Sequence, residues 1–465
     1  MRYKMGNLLT NIRVVKELSE EVLVSIPRIF ARMMFPAQKK LVENAKWWQN
    51  PGLSIQYQIE FRPGLEWQRD WPEFNRRMMD ESGNLKFNGP FPKVAEWVSL
   101  SKEIGLDYHS MEIKWHDGIC YFNTQLTNWK TKQDYARQFA VLSRKANIPF
   151  IFYYSSIIDH NPQFDAIQPK PHATESIIAL GPQPVYEKYI LGHYREIMEQ
   201  YNPDGIWLDW YWPDRSTRTS IDFFRSNYPD KALAFNFASY FPSSYKNLDF
   251  TAGEAHDLDG PYIKFLRSDG AYLPVWCSAW KWSMFYRRFQ SHSSEIISPS
   301  GRWWSDPTVR DDPYTLLRMS AIVMASGMKH SLGVTSQMEG GVYPDQVKQL
   351  KMLGAWYIPR KKFFTESVPL RYRGREPRTV TVDNPGSIKI IACRHEDDIL
   401  IHLINMDGSK RPIDVRFRGG AWGDVKKITM EPSGRELPIE RSGNGFRVVV
   451  SGEIDPVDVI LRLWR

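Results

Sequence analysis

The stretch Pro203-Asp204-Gly205-Ile206-Trp207-Leu208-Asp209-Trp210-Tyr211-Trp212 decides the fold of this chain. Gly205 to Leu208 carry no polar side chain, as in a strand of a parallel sheet that is buried on both faces. A carboxylate directly after such a strand is typical of a barrel mouth, where catalytic groups lie at the carboxyl ends of strands. Asp209 could instead cap the next helix or start a turn. The aromatic residues that follow it favour the catalytic interpretation, because they are costly to expose without a ligand.

The aromatic side chains around Asp209 suit a carbohydrate, whose C–H faces stack on rings while its hydroxyls bind polar groups. The chain has 465 residues, with 18 Trp and an aromatic content of 14%. This length suits a large barrel with an accessory domain. A large barrel core would also account for many aromatic residues, so composition alone does not decide between ligand and core.

Short apolar runs alternate with helical stretches on both sides of this segment. Eight such runs with intervening helices predict an α/β fold, a (β/α)8 TIM-like barrel. The candidate strands are Ser54–Phe61, Asp107–Lys114, Pro149–Ser155, Gly205–Trp210, Ala232–Ala238, Leu248–Thr251, Leu273–Cys277 and Lys329–Val334. The candidate helices between them include Phe91–Ile104, Lys132–Ala146, Pro184–Gln200, Ser216–Asn227 and Pro313–Ser326.

The sequence pattern changes after Val368. Short apolar runs with partial alternation of apolar and polar residues are there separated by Gly, Pro, Asp and Asn. This pattern predicts a C-terminal antiparallel β-sandwich domain. Its candidate strands are Thr379–Val382, Ser387–Arg394, Ile399–Asn405, Ile413–Arg418, Val425–Met430, Phe446–Ser451 and Val457–Trp464. We therefore expect an N-terminal helical segment at 1–48, the catalytic barrel at 49–367 and the β-sandwich at 368–465.

Charge and cysteine usage exclude several classes of function. The net charge of +8 is spread thinly and contains no basic run, so we expect no nucleic-acid partner. Cys120, Cys277 and Cys393 lie too far apart for a disulfide framework or a metal motif. We see no signal peptide and no apolar run of membrane-spanning length, which predicts a cytoplasmic protein without membrane contact. No metal or organic cofactor is expected, and a homo-oligomer is compatible with the sequence.

Glu254 follows Asp209 at a distance of about two β/α units, so both carboxylates could face one cleft. A retaining glycosidase needs such a pair, with carboxyl groups about 5–5.5 Å apart. Asp257, Asp259 and Asp269 lie close by and could serve in place of Glu254. A solvated acidic surface loop is the alternative without chemistry.

Further candidates follow the second and third strands. His116 lies in the turn Lys114–Gly118, from which its side chain would point into the barrel mouth. Trp129 ends a polar and aromatic segment suited to a binding loop, and Tyr154 lies near the end of the third strand. The histidines of the chain form no close pair of the kind that binds metal, so we interpret His116 as a hydrogen-bonding group for hydroxyls.

These segments, in this order, resemble the α-L-fucosidase family of retaining glycoside hydrolases from about Trp47 to Phe364. Pro203–Trp212 resembles the family segment that carries the nucleophile, and Lys114–Gly118 resembles its "KHHDG" motif. Asp249–Glu254 resembles a segment whose Glu is the acid/base in some members. The resemblance implies a barrel with a C-terminal β-sandwich and a double-displacement mechanism, with Asp209 as nucleophile and Glu254 as acid/base.

Two departures from the family pattern bear on the substrate. Gln56-Tyr57-Gln58 stands where the family has His-Trp-Gly, and Trp115 replaces the first His of "HHDG". We expect glycosidase chemistry on a fucoside or a related glycoside or oligosaccharide, with an altered sugar preference. The predicted substrate-binding residues are Gln56, Trp115, His116, Trp129, Tyr154, Trp210 and Trp212. A non-catalytic sugar-binding relative and a metal-dependent barrel hydrolase are the alternatives.

Overall fold

The structure is a computed structural model, which describes residues 46–59, 71–87, 89, 91–167, 183–211, 215–236, 238, 247–254, 293–301, 308–370, 379–384, 387–408, 410–419, 422–452 and 455–465. Several predictions lie outside these residues. They are residues 1–45 of the predicted helical segment, the predicted strand Leu273–Cys277, Trp212, and the alternative acids Asp257, Asp259 and Asp269.

Eight parallel strands close into a barrel in chain order, which confirms the predicted (β/α)8 architecture. The strands are β1 (Gly52–Gln58), β2 (Tyr108–Lys114), β3 (Phe150–Ser155), β4 (Gly205–Asp209), β5 (Ala232–Phe235), β6 (Phe250–Glu254), β7 (Ser293–Pro299) and β8 (Lys329–Thr335). The whole of β1 pairs with β8 and closes the barrel. The carboxyl ends of all eight strands therefore meet at one mouth.

Helices follow or precede the strands and cover the outside of the barrel. They are α1 (Trp71–Met78), α2 (Val94–Ile104), α3 (Tyr135–Ala146), α4 (Pro184–Tyr201), α5 (Arg215–Asn227), α6 (Thr315–Ala325), α7 (Pro344–Tyr357) and α8 (Lys361–Thr365). Local signals set their ends: Asp134 caps α3 by accepting a hydrogen bond from the Arg137 N–H, and Gly105 ends α2 with φ of 77°.

Alternate residues of each strand point to opposite sides of the barrel wall. On β1 the outward Tyr57 stacks on Trp97 of α2 and donates its hydroxyl to the Trp97 carbonyl at 2.6 Å. Gln56 and Gln58 therefore point inward. A separate buried cluster collects inward residues from six strands and so fills the barrel interior, among them Tyr108, Ile151, Tyr153, Trp207, Ala234, Phe250 and Ile297.

Two tryptophans just before β1 close the barrel at the end opposite the mouth. The carbonyl of Trp48 accepts a hydrogen bond at 2.5 Å from Lys329 Nζ, at the start of β8. The Trp47 ring lies 4.4 Å from the ring of Tyr108 and 6.1 Å from that of Phe250, both inward residues. The two side chains thus form the floor of the barrel.

The C-terminal part consists of two antiparallel sheets, which confirms the predicted β-sandwich. The strands are β9 (Ser367–Pro369), β10 (Val380–Val382), β11 (Ile388–His395), β12 (Asp398–Asn405), β13 (Ile413–Phe417), β14 (Lys427–Glu431), β15 (Arg435–Leu437), β16 (Glu440–Ser442), β17 (Gly445–Val450) and β18 (Asp458–Trp464). One sheet has the order β10-β13-β17-β16 and the other β15-β14-β18-β12-β11-β9. Strand β9 spans the predicted boundary between residues 367 and 368. The domain limits stay a prediction.

A buried ion pair lies on the side of the sandwich that faces the barrel. His402 Nδ1 is 2.7 Å from Asp458 Oδ2, and neither side chain is exposed. The imidazole stacks on Phe364 of α8 at 5.1 Å between ring centroids. Burial alone would lower the pKa of His402, but the charge and hydrogen bond of Asp458 raise it to about 10. His402 is thus a buried imidazolium at neutral pH.

No helix in the described ranges combines the length and the apolar character required to cross a lipid bilayer.

Candidate active site

Asp209 ends β4 at the barrel mouth, with its side chain on the inward face and 6% exposed. Its Oδ2 accepts a hydrogen bond from the Tyr153 hydroxyl at 2.5 Å. Its Oδ1 accepts from the Trp210 N–H and from Asn236 Nδ2, both at 2.9 Å. Burial raises the pKa of Asp209, and these three donors oppose the rise by stabilising the ionised form. The site therefore holds a desolvated carboxylate between fixed donors.

The backbone around Asp209 is held in an unusual geometry. Trp210 has φ of 62°, in the left-handed region that bulky side chains rarely adopt. Its N–H reaches the Asp209 side chain in this conformation. The Asp209 carbonyl accepts a hydrogen bond from Ser156 Oγ at 2.6 Å. Strain of this kind persists where surrounding contacts impose it, and it is concentrated at functional sites.

Asn236 links Asp209 to Glu254. Its Nδ2 donates both to Asp209 Oδ1, at 2.9 Å, and to Glu254 Oε1, at 2.7 Å. Because both oxygens bind one nitrogen, they lie at most about 5.6 Å apart. The Asn236 backbone is itself tied to the β4 segment: its N–H donates to the Leu208 carbonyl, and its carbonyl accepts from the Tyr211 N–H, each at 2.9 Å. The amide that joins the two carboxylates is therefore rigidly placed.

The two carboxylates lie in different surroundings. Glu254 ends β6 and is half-buried, whereas Asp209 is buried. β5 lies between their strands and contributes Asn236 just after its last residue, Phe235. The structure thus brings together one acid closed to solvent and one acid that water can reach.

His116 lies on the other side of Asp209. Its Nε2 is 3.7 Å from Asp209 Oδ2, and its Nδ1 is 2.6 Å from Ser155 Oγ. The Ser155 hydroxyl donates its proton to the Ile158 carbonyl at 2.7 Å. It must therefore accept from His116, which fixes the proton of the neutral imidazole on Nδ1. Nε2, which then carries the lone pair, lies 3.7 Å from Asp209 Oδ2.

A buried ion pair fixes the loop that carries His116. Lys114 Nζ is 2.8 Å from Asp159 Oδ2 and donates to the Ser155 carbonyl at 2.8 Å, with both charged side chains fully buried. Gly118 ends the turn with φ of 75°, and a Cβ there would lie 2.3 Å from Asp159 Oδ1. The lack of a side chain at this position is therefore required for close packing.

Trp115 and Trp210 lie next to the two groups just described. The Trp115 ring stacks on the His116 imidazole, with 4.8 Å between centroids and 23° between planes. Both Trp115 and Trp210 are half-buried. Gln56 points into the barrel from β1 and is 2% exposed. These side chains could contact a ligand at the mouth.

Two predicted binding residues lie elsewhere. Tyr154 is on the outward face of β3, with no exposed surface and its hydroxyl 2.8 Å from His193 Nδ1. Trp129 is 2% exposed and donates its indole N–H to the Asp117 carbonyl at 3.1 Å, within the core outside the barrel. Neither ring reaches the mouth, because both are packed between the barrel and its helices. Trp212, also predicted to bind sugar, lies outside the described residues.

The sequence interpretation missed Tyr153 and Asn236, both of which bind Asp209. The period of two could have identified Tyr153, since β3 and β4 pair Ser155 with Asp209 and Tyr153 with Trp207. Tyr153, and not Tyr154, therefore shares the inward face with Asp209. Asn236 carries a weaker signal, a polar residue directly after the apolar strand β5.

The comparisons with known proteins agree with this geometry. Residues 53–251 match the family model described as Alpha-L-fucosidase. Over this stretch the barrel of this chain is similar to the α-L-fucosidases. The match includes Asp209 and ends three residues before Glu254. The family match and the shared fold of the solved fucosidases indicate a glycosidase, as the sequence predicted.

Solved α-L-fucosidase structures share the fold over almost the whole chain. The Thermotoga maritima alpha-fucosidase has 18% identity and a TM-score of 0.63, over 90% of this chain and 96% of that one. Isoenzyme 1 from Paenibacillus thiaminolyticus has 17% identity and a TM-score of 0.63, over 90% and 97%. A Bacteroides thetaiotaomicron α-L-fucosidase trapped as a covalent intermediate has 14% identity and a TM-score of 0.64, over 92% and 97%. The curated proteins contain no match to this fucosidase-like chain.

Among the described residues of this fucosidase relative, no group of three or more His, Cys, Asp or Glu side chains is arranged to hold a metal ion.

Proposed function

We propose that this protein is a retaining glycoside hydrolase that cleaves a fucoside or a related glycoside. Asp209 attacks the anomeric carbon and forms a glycosyl-enzyme intermediate as the bond to the leaving group breaks. Glu254 donates a proton to the departing oxygen, then removes a proton from the water that releases the sugar. The reaction needs no group beyond these side chains and water.

The separation of the two carboxylates is the observation that carries this proposal. The shared bond to Asn236 Nδ2 keeps the two bonded oxygens of Asp209 and Glu254 within about 5.6 Å. Retaining enzymes hold their carboxyl groups about 5–5.5 Å apart, whereas inverting enzymes separate them by about 6.5–9.5 Å to admit a water molecule. The spacing therefore supports direct attack by a carboxylate.

The surroundings of each acid support the division of roles. Asp209 is buried and accepts hydrogen bonds from Tyr153, Trp210 and Asn236, which favour the ionised form that a nucleophile needs. Glu254 is half-buried, so it can meet the leaving group and the incoming water. A general acid that later becomes a base needs this access to solvent.

The mouth beside Asp209 suggests how a sugar would bind. His116 lies 3.7 Å from Asp209, and the half-buried Trp115 and Trp210 adjoin these two residues. A sugar bound there would bring its hydroxyls near the imidazole and its C–H faces near the two rings. Trp115 and Gln56 take the places of two histidines in the family pattern. We infer that they change which sugar or linkage fits, so that simple fucosides are poorer substrates than a substituted or related glycoside.

The stereochemistry of the product tests the mechanism. A panel of 4-nitrophenyl glycosides, including the α-L-fucoside, would be screened to find a substrate. Proton NMR of the first product formed should then show the anomer of the substrate. The opposite anomer would contradict the retaining mechanism, and loss of turnover with a chelator would favour a metal-dependent hydrolase. Binding of glycans with no hydrolysis of any would favour the non-catalytic relative.

Azide rescue assigns the two acids. Asp209→Gly should lose at least 1,000-fold in kcat, about 4 kcal/mol of transition-state stabilisation, since no nucleophile remains. Azide should restore turnover of this variant and give a glycosyl azide of inverted configuration. Glu254→Ala with azide should instead give the retained configuration, because azide attacks the intermediate on Asp209. Glu339→Ala changes an exposed acid in the loop after β8 and is the control. Near-normal turnover by Asp209→Gly would refute the assignment.

A further inference from the structure

The barrel interior contains a third carboxylate that the proposed reaction does not use. Glu295 points inward from β7 and is 2% exposed. Its Oε1 accepts a hydrogen bond from Trp207 Nε1 at 2.9 Å, and its Oε2 accepts one from the Tyr108 hydroxyl. Lys329 is its register partner on β8. A buried acid with specific donors on both oxygens is costly to place, which calls for an explanation.

A continuous set of contacts leads from Glu295 to Asp209. Trp207 is the inward-facing residue that precedes Asp209 on β4, two positions earlier in the chain. Its indole N–H donates a hydrogen bond to Glu295. The Trp207 ring stacks on the Tyr153 ring, with 5.3 Å between centroids and 27° between planes. The Tyr153 hydroxyl in turn donates to Asp209 Oδ2 at 2.5 Å. Every step is a direct contact between neighbouring side chains.

Lys329 supplies a positive charge near Glu295. Lys329 Nζ donates to the Trp48 carbonyl at 2.5 Å and lies 4.7 Å from the centroid of the Phe250 ring. Burial raises the pKa of Glu295 to about 8, against the opposing charge of Lys329. A positive charge, held at the floor of the barrel, therefore lies near the acid that binds Trp207.

We propose that Glu295 is a positioning residue of the active site, which holds the Trp207 ring so that the Tyr153 hydroxyl stays on Asp209. The inference rests on the proposed role of Asp209 as nucleophile. Without Glu295 the indole loses the partner that fixes its orientation, and the ring packed against Tyr153 can shift. A small shift suffices, because hydrogen bonds weaken steeply as distance and angle depart from their optimum.

The pH profile of kcat/KM separates positioning from general stability. Its acidic limb reports the ionisation of the free enzyme, here that of Asp209. Loss of the Tyr153 bond raises the pKa of Asp209, so Tyr153→Phe should move the limb to higher pH. Glu295→Ala should move it in the same direction and lower kcat about tenfold, which is a loss of about 1.4 kcal/mol of transition-state stabilisation. KM should change less than kcat, since Glu295 does not touch the substrate.

A double-mutant cycle gives the decisive comparison. If Glu295 acts through Tyr153, the variant with both Glu295→Ala and Tyr153→Phe should be no worse than Tyr153→Phe alone. The proposal would be overturned if the fold-losses of activity of the two single variants multiply in the double variant. It would also be overturned if the acidic limb of the Glu295→Ala profile stays in place. Trp207→Phe keeps a ring but removes the N–H, and it should behave like Glu295→Ala.

Glu295→Gln covers the case in which Glu295→Ala does not fold. The amide oxygen of this variant can still accept a hydrogen bond from the Trp207 N–H. The acidic limb of its kcat/KM profile should therefore move less than half as far as the limb of Trp207→Phe. An equal or larger shift would contradict positioning through this hydrogen bond. Failure of the nucleophile assignment is recognised separately, since Asp209→Gly would then remain active whatever the Glu295 variants do.

Discussion

Asn236 contacts Glu254 at 2.7 Å through the same amide nitrogen that contacts Asp209. Replacement of Asn236 by Ala removes a hydrogen-bond donor from both carboxyl groups. We expect kcat to fall at least 100-fold and the acidic limb of kcat/KM to move to higher pH, because the ionised form of Asp209 loses a hydrogen bond. Steady-state kinetics from pH 4 to 9 would measure both.

Asn227→Ala is the matched control for this change, since Asn227 is exposed on α5 and donates only to the Phe223 carbonyl one turn earlier. It should retain the wild-type profile. A limb that stays in place in Asn236→Ala would mean that the amide does not influence the ionisation of Asp209.

Two adjacent tyrosines on β3 predict opposite phenotypes. Tyr153 points inward to Asp209, and Tyr154 points outward to His193. Tyr153→Phe should lower kcat/KM and raise the apparent acidic pKa with little loss of stability. Tyr154→Phe should leave the pH profile unchanged and lower the free energy of unfolding by about 1 kcal/mol, the usual contribution of one hydrogen bond. Kinetics and urea denaturation of both variants would test the assignment, and exchanged phenotypes would show that the inward face has been misidentified.

Gly118 and Gly83 form a matched pair for testing the His116 loop. Both have left-handed backbones, with φ of 75° and 76°, so alanine costs each about 1 kcal/mol of conformational strain. A Cβ at Gly118 would lie 2.3 Å from Asp159 Oδ1, whereas one at Gly83 meets nothing within 4 Å. Gly118→Ala should therefore lose more stability than Gly83→Ala and also lose activity, because Asp159 and His116 are displaced. Equal losses in thermal unfolding would argue against this packing.

The ion pair of His402 and Asp458 should make the stability of the protein depend on pH. The pKa of His402 is raised to about 10, so its stabilising effect is complete below about pH 6.5 and is lost as the pH rises through about 10. Asp458→Asn leaves a buried imidazolium without its partner and should cost about 3–5 kcal/mol. Urea denaturation between pH 6 and 10 would show a large difference at low pH that shrinks as the pH increases.

Asp407→Asn is the control for that experiment, since Asp407 pairs with Arg411 on the surface and such pairs contribute at most about 1 kcal/mol. A difference between wild type and Asp458→Asn that does not vary with pH would contradict a charged His402.

Uniform apolar runs and alternation predicted most of the fold. Gly205–Leu208 was recognisable because a strand buried on both faces tolerates no polar residue. β7 was not, since Ser293–Pro299 contains Glu295 and three serines, which a buried run should lack. Trp207 and Tyr108, from other strands of the barrel, donate hydrogen bonds to buried Glu295 and stabilise it there. The local sequence pattern around Glu295 does not reveal these partners. The strands β9, β15 and β16, of three residues each, were not predicted from the sequence.

The candidate site was predictable where one residue carries the signal. Asp209 directly follows an apolar run, and Glu254 lies about two β/α units further along the chain. The resemblance to the fucosidases implied their roles. Tyr154 and Trp129 were chosen for their chemistry, without regard to the face on which they lie, and packing against the helices buried both. Asn236 acts through contacts that depend on the distance between three strand ends, which the closed barrel alone defines.

The two tryptophans ahead of β1 bear on how the protein can be shortened. Trp48 supplies the carbonyl that binds Lys329, and Trp47 covers the ring of Tyr108. A version that begins at Gly52 would keep every strand of the barrel but would let water reach the side chains behind the reaction centre. Trimming from the amino end should therefore stop before Trp47, although Trp47 and Trp48 lie at the end of the barrel opposite the mouth.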